Sequence, residues 1–192
     1  MMHLFELNWP NALFALITVL WILEFRVFPS GEHSDGPGEG SYRLILRAVV
    51  ITIASSIALT WVGIAGLPGA ALAPARIIGI SMYVVGIILR YWCSYLLGRY
   101  FTRGVTVSED QRLVGEGPYS VLRHPLYLGL ALLVLGVPVF LGSIGGLIVG
   151  SVVFLPALHR RISIEEAHLV RTLGHTYSEW MRSRYRLLPY IY

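Results

Sequence analysis

The chain alternates long uncharged runs with short polar stretches, and this pattern predicts membrane helices. The uncharged runs cover residues 7–23, 48–75, 77–89 and 125–158. A helix needs about 20 apolar residues to cross a bilayer. Gly and Pro residues at 66–69, 74, 138, 142 and 145–146 interrupt these runs and mark turns between helices. We therefore expect an all-α, polytopic transmembrane bundle of about five spans, at residues 9–28, 43–65, 75–98, 125–141 and 143–160.

We expect one integral membrane domain over residues 1–192. Its first part, residues 1–98, holds three spans. Residues 99–192 hold a polar loop, the last helical hairpin and C-terminal helices. Because the stretch 125–158 is short for two passes, either the hairpin is short or its helices extend beyond these limits.

The composition excludes a soluble domain. The sequence is 55% hydrophobic and 14% charged, whereas a soluble domain carries about 25% charged residues. Residues 1–8 contain no Lys or Arg, and no small-residue cleavage site follows the first run, so we expect no signal peptide. Cys93, the single cysteine, lies in an apolar span and is interpreted as a packing residue.

The 15 basic residues are all arginine, and their distribution predicts the orientation. Arginines concentrate in the first loop, the third loop and the C-terminal segment, whereas the second loop has only Arg76 and the fourth has none. Since positively charged loops remain in the cytoplasm, we expect these three segments inside and the N-terminus outside. The net charge of +4 reflects this bias and does not indicate a nucleic-acid surface. In a prokaryote the membrane is expected to be the cell membrane.

Polar side chains suited to chemistry concentrate in residues 98–124 and 159–192. The segment 123–129, RHPLYLG, places Arg123, His124 and Tyr127 at the start of the fourth span. Proline suits the first position of a helix, and the N–H groups of that first turn attract an anion. The sequence shows no Cys/His set at zinc-ligand spacing, so we expect no metal. It also shows no Ser or Cys nucleophile motif and no phosphate-binding glycine motif.

The C-terminal segment offers a second polar face. Ser163 and Glu166 fit a capping box that would begin a new helix. Alternatively, the last span continues through Arg161. In either case Arg161, Glu165 and His168 share one face. Taken alone, the segment is also explained by an interfacial salt bridge and a basic anchor on anionic lipid.

Three other positions, Gly174, Arg90 and His124, also bear on the fold or the site. Gly174 is expected to end the helix, with a short helix following over 175–184. Arg90 lies well inside the third span, where a charge faces the bundle interior or a cavity, so a structural ion pair and a substrate contact are equally possible. His124 alone is more often a hydrogen-bonded interfacial residue than a catalyst.

Together, these motifs resemble the isoprenylcysteine carboxyl methyltransferase family. The resemblance covers roughly the last 100 residues, and the first two spans carry no family signal. The wider group includes phospholipid N-methyltransferases and, more distantly, membrane sterol and steroid reductases. The matching residues are Leu113, Val114, Gly117, Tyr119, Arg123, His124, Pro125, Tyr127, Gly129, Glu165, Glu166, Leu169, Gly174, Tyr177 and Pro189.

The resemblance implies a site for S-adenosylmethionine, which leaves as S-adenosylhomocysteine, built from the loop before span four and the C-terminal helices. It implies catalytic roles for Arg161 and Glu165, with the substrate carboxylate on Arg161. The chemistry of the transfer suggests in addition that Arg90 assists in substrate binding from the membrane side. Trp180 stands where the family more often has tyrosine, and Gln111 and Arg112 also depart from its usual residues. The implied cofactor-binding residues are Gln111, Arg112, Leu113, Val114, Tyr119, His124, Pro125, Leu126, Tyr127 and Glu165.

The implied reaction is methylation of a prenylated cysteine, or of a similar lipid-linked carboxylate, at the cytoplasmic face of the bilayer. A carboxylate is ionised at pH 7, so no general base is needed, and Arg161 suits an anionic acceptor. The main alternative is a phospholipid amine N-methyltransferase, which needs a base. A nicotinamide-dependent membrane reductase and a non-enzymatic membrane protein are further alternatives. The partners expected are the bilayer and a lipid-linked or prenylated-peptide substrate.

Overall fold

The computed structural model describes residues 9–27, 39–98 and 113–190. Within these ranges the chain is helical, apart from turns and two isolated β-bridges. The helices are α1 (Trp9–Val27), α2 (Glu39–Val62), α3 (Gly69–Leu97), α4 (Pro125–Leu141), α5 (Ile144–Val149) and α6 (Leu155–Arg182). A 3₁₀ turn (Gly117–Ser120) precedes α4, and a π-helical stretch (Gly150–Phe154) joins α5 to α6. The all-α membrane fold expected from the sequence is confirmed.

Three helical segments are long and apolar enough to cross a membrane: Gly40–Val62, Gly69–Leu97 and Ile144–Arg182. Trp9–Glu24 and Pro125–Leu141 are apolar but shorter. These five elements correspond to the five expected spans, while the number that crosses the bilayer stays a prediction.

The last span continues far beyond residue 160, where the sequence analysis ended it. Ser163 and Glu166 lie inside α6, so no helix begins there and the continuous-helix alternative is correct. The apolar positions Leu158, Ile162 and Leu169 remain buried across this point, which explains the continuity. Gly174 breaks the helical geometry with φ of 54° and ψ of −126°, a conformation suited to glycine.

Glycines bring α3 and α4 into close contact. A Cβ atom added to Gly79 would lie 2.5 Å from the Phe140 nitrogen, and one added to Gly86 would lie 2.9 Å from the Gly129 oxygen. Small residues at such positions let membrane helices approach until their backbones meet. The sequence left open whether the small residues form a groove or a close interface, and at this pair of helices they form an interface.

The hairpin between α4 and α5 is short, and α6 also extends beyond Leu158, so both options left open by the sequence apply. Gly142 ends α4 with φ of 66°, and Ser143 begins α5 by accepting a hydrogen bond from the Gly146 amide at 3.2 Å. Gly145 and Gly146 were expected to break the chain, but they lie within α5. An added Cβ on Gly146 would collide with Ser56 of α2, so these glycines serve close packing.

A buried ion pair ties α1 to α3. The Arg90 guanidinium donates from Nε and Nη2 to the two carboxylate oxygens of Glu24, both at 2.6 Å. Glu24 is fully buried and Arg90 nearly so. Gly129 packs directly against the Arg90 side chain, because an added Cβ would lie 2.7 Å from its Cγ. Arg90 therefore has a structural partner.

Candidate functional site

The buried carboxylate of Glu166 is the centre of a charged cluster where the loop before α4, α6 and the C-terminal segment meet. Arg123 Nη1 donates to Oε1 at 3.0 Å, and His124 Nε2 hydrogen-bonds the same oxygen at 3.0 Å. Arg186 Nε lies 2.9 Å from Oε2. One carboxylate thus holds side chains from two other segments together, as expected where a buried charge must be paired.

A short backbone ladder reinforces this meeting point. The Arg123 amide donates to the Tyr185 oxygen at 2.8 Å, and the His124 amide donates to the Arg186 oxygen at 3.2 Å. The Tyr185 amide in turn donates to the Val121 oxygen at 3.0 Å. The C-terminal segment therefore runs alongside the loop and fixes the start of α4.

A second set of polar contacts lies around Arg161, which is 2% exposed. Arg161 Nε donates to the Tyr127 hydroxyl at 3.0 Å, and Nη1 donates to the Ser41 hydroxyl at 2.8 Å. The Tyr127 hydroxyl donates onward to Glu165 Oε2 at 2.5 Å. Tyr127 thus connects Arg161 to Glu165, the two residues expected to share this face.

The loop before α4 meets the end of α6 at an aromatic and cationic wall. The Arg184 guanidinium lies 4.5 Å from the centre of the Trp180 ring, and its Nε donates to the Tyr119 oxygen at 2.8 Å. An added Cβ on Gly115 would come within 3.2 Å of Arg184 and 3.8 Å of Trp180. Gly117, with φ of 55°, packs against α3. Both glycines allow the backbone to approach these side chains closely.

Tyr119 is the buried aromatic residue of this loop. Burial raises the pKa of Tyr119 well above its usual value, and the nearby Cys93 and Glu165 raise it further. The phenol therefore remains neutral at physiological pH. It can form an aromatic wall or donate a hydrogen bond, but it does not act as a base at that pH.

The structure brings together most of the residues singled out from the sequence. His124 and Pro125 are buried at the start of α4, and Leu113, Val114, Leu126 and Glu165 are half-buried. Gln111 and Arg112 lie outside the described residues.

Two residues that were expected to contact the cofactor or the substrate have protein partners in the structure. The side chain of His124, expected to contact the cofactor, is bound to Glu166. The Arg90 side chain, expected to assist the substrate carboxylate, is bound to Glu24.

Several residues of this region were not singled out as site residues by the sequence. Glu166 and Arg186 belong to the charged cluster, Ser41 contacts Arg161, and Arg184 covers Trp180. Glu166 had a signal, since it stands in the matched Glu-Glu pair. Ser41 had none, because it lies 120 positions before Arg161 and belongs to a helix without family motifs.

Known proteins with similar sequences support the resemblance. Protein-S-isoprenylcysteine O-methyltransferase B of Arabidopsis thaliana is 31% identical over 115 residues, which cover 59% of this chain and 58% of that protein. The protein-S-isoprenylcysteine O-methyltransferase of Schizosaccharomyces pombe is 33% identical over 75 residues, covering 39% of this chain and 32% of the relative. The chain thus spans little more than half the length of the plant relative.

A solved structure shares the fold. It is a eukaryotic intramembrane Ras methyltransferase, isoprenylcysteine carboxyl methyltransferase, with a TM-score of 0.64 and 20% sequence identity. The similarity covers 95% of this chain and 65% of that one. The sequence model of the phospholipid methyltransferase family matches residues 74–176, from α3 to just beyond Gly174. Since this match takes in more than half of the sequence, the chain belongs to the phospholipid methyltransferase family.

Proposed function

We propose that the chain transfers a methyl group from S-adenosylmethionine to the carboxylate of an S-prenylated cysteine or a similar lipid-linked carboxylate. The two sequence relatives described above are named for isoprenylcysteine, which supports this acceptor class. The observation that carries the proposal is Arg161, a buried guanidinium with hydroxyl oxygens on Nε and Nη1. Arginine binds carboxylates strongly through paired N–H donors, so a buried guanidinium beside these hydroxyls suits an anionic acceptor.

The wall around Gly115 fits a polar cofactor. Trp180 Nε1 and Arg123 Nε are buried donors without a hydrogen-bond partner in the described part of the chain. Buried donors of this kind usually have a partner, so they favour a bound ligand with acceptor atoms. We assign the cofactor site to this wall, with Leu113, Val114, Tyr119 and the start of α4 (125–127). Gln111 and Arg112 are proposed to complete it.

S-adenosylmethionine, when bound, supplies an activated methyl group on a positively charged sulfur. The chain's own residues then have to bind, orient and exclude water. Arg161 holds the acceptor carboxylate, Tyr127 keeps the guanidinium in place, and Glu165 carries a negative charge beside the cofactor. Since the acceptor is already ionised at pH 7, the protein needs no general base. Alignment of two reactants in this way contributes about 7–11 kcal/mol to lowering a barrier.

The membrane setting provides separate routes for the two substrates. A polar cofactor reaches the site from water at the arginine-rich end of the bundle, and an apolar prenyl chain reaches it sideways from the bilayer. The positive-inside rule places this end in the cytoplasm. Labelling with a membrane-impermeant maleimide tests the orientation, because Cys93 is buried and gives little background. We expect His175→Cys to react only from the cytoplasmic side and Ile64→Cys only from the opposite side.

A phospholipid amine is the second candidate acceptor, and the name of the matching family model favours it. A transfer assay with tritiated methyl donor separates the two candidates. N-acetyl-S-farnesylcysteine and phosphatidylethanolamine are supplied in parallel to the reconstituted protein. We expect the label to be transferred to N-acetyl-S-farnesylcysteine and to be released by base as volatile methanol, which identifies a methyl ester. Label that base does not release as a volatile product, because it is bonded to the nitrogen of the phospholipid headgroup, would establish the amine reaction, and no transfer to either would overturn both candidates.

A further inference from the structure

A lateral groove lies between the beginnings of α1 and α3, at the end of the bundle opposite to the charged cluster. Its volume is about 480 Å³, within the range of about 300–1,000 Å³ typical of small-molecule sites. The lining is mainly apolar and contains one charged side chain, Arg76. The lining residues are Trp9, Pro10, Gly69, Leu72, Ala73, Arg76, Ile77 and Ile80.

Arg76 also contacts an aromatic ring of the core beside this groove. Its guanidinium carbon lies 5.9 Å from the centre of the Phe140 ring, a distance suited to a cation–π contact. Within residues 9–27, 39–98 and 113–190, no carboxylate lies within ion-pair distance of Arg76. Arg76 therefore brings a positive charge to an apolar groove without an anionic partner in that part of the protein.

The distance along α4 separates this groove from the proposed reaction site. Phe140 stands near the end of α4, and Pro125 begins that helix beside the charged cluster. At about 1.5 Å per residue, the two positions are roughly 22 Å apart. The Arg76 groove is therefore distinct from the Glu166 cluster.

We propose that this groove binds an anionic phospholipid. Its phosphate contacts Arg76, and one acyl chain lies along the apolar side chains of α3, chiefly Leu72, Ile77 and Ile80. A positive charge at the headgroup level of such a groove attracts an anionic headgroup by charge complementarity, and an arginine stem packs on apolar surface while its head reaches the interface. The assignment is independent of the proposed methyl transfer.

Native mass spectrometry tests the proposal. The full chain is reconstituted with equal phosphatidylglycerol and phosphatidylcholine, extracted in mild detergent and examined for retained lipid. We expect preferential retention of phosphatidylglycerol, a loss of at least about fivefold in Arg76→Gln, roughly 1 kcal/mol in binding free energy, and partial retention in Arg76→Lys. Arg171→Gln, which removes an exposed arginine of α6, is the matched control and should retain lipid normally. Equal retention of both lipids, or no effect of Arg76→Gln, would overturn the proposal.

A second variant and two further measurements separate the phospholipid from other occupants of the groove. Ala73→Trp fills the groove while keeping Arg76, and we expect it to lower lipid retention as well, which covers the case in which Arg76→Gln misfolds. Displacement of the lipid by excess inorganic phosphate alone would show that the site recognises free phosphate and overturn the lipid assignment. Light scattering that reveals a dimer disrupted by Arg76→Gln would instead assign the groove to a second copy of the chain.

Discussion

Arg90 and Arg161 are both buried arginines, and they differ in what they bind. Arg90 makes two 2.6 Å contacts with the Glu24 carboxylate, so its charge is neutralised directly by a bidentate partner. Arg161 donates from Nε and Nη1 to the hydroxyl oxygens of Tyr127 and Ser41, and Tyr127 links it to Glu165. A hydroxyl is a weaker partner for a guanidinium than a carboxylate and is more easily replaced by an anion. We therefore expect Arg90 to stabilise the fold, and Arg161 remains the residue proposed to receive the acceptor carboxylate.

The largest expected effect is on stability at the Arg90 pair. Glu24→Gln leaves Arg90 buried without its counter-charge, and breaking such a pair costs about 3–5 kcal/mol. We expect a clear fall in the melting temperature of the detergent-purified protein, measured by fluorescence-detected size exclusion. Glu179→Gln removes an exposed carboxylate of α6 and serves as the control. A melting temperature equal to that of the unaltered chain would assign the pair no structural role.

Arg161→Ala is expected to abolish most turnover while leaving the fold intact. Losing a donor that stabilises charge at a reaction centre typically lowers kcat by about 10²–10³. Cofactor affinity should be nearly unchanged in calorimetric titration with S-adenosylhomocysteine. Arg171→Ala, on an exposed face of the same helix, is the control. If cofactor binding and turnover fall equally, Arg161 does not act on the acceptor.

Glu165→Gln is expected to weaken cofactor binding by about 1–3 kcal/mol, as for a lost hydrogen bond to a charged group. The glutamine keeps the size of the side chain and its contact with Tyr127, so the fold should be preserved. Calorimetric titration measures the effect, with Glu179→Gln as the matched control. An unaltered affinity would move Glu165 from the cofactor site to a structural role.

The smallest expected effect is at Ser41. Ser41→Ala removes one hydrogen bond from Arg161, worth about 0.5–1.5 kcal/mol, and should raise the KM of the acceptor severalfold without changing cofactor affinity. Ser41→Thr retains the hydroxyl and should restore most of the difference. If the alanine and threonine variants behave alike, the Ser41 hydroxyl does not help to position Arg161.

The sequence predicted the helices well because their apolar runs are long. Gly66, Pro68 and Gly142 separate them, whereas Pro74 and Pro138, which were also expected to mark breaks, lie inside α3 and α4. The segment at 123–129 and the face of Arg161 and Glu165 were also recognisable, since each is local. The length of the last helix was left as an alternative, because Ser163 and Glu166 fit a capping box equally well. Tertiary packing of Leu158 and Ile162 decided the outcome.

Contacts between distant segments could not be predicted in the same way. Glu24 and Arg90 are 66 positions apart, and Ser41 and Arg161 are 120 apart. A periodic pattern places a residue on a helix face but does not identify which helix it meets. The two possible roles of Arg90 were therefore equally open until Glu24 was seen beside it. The roles of the individual site residues remain predictions that the variants above address.

The glycine contact between α3 and α4 limits where a hydrocarbon chain can enter the protein from the bilayer. Where Gly86 meets Gly129, a single added carbon atom would touch the opposite backbone at 2.9 Å, so nothing as thick as a hydrocarbon chain passes between these helices. A lateral opening for a prenyl group, as proposed above, would therefore have to lie between other helices of the bundle.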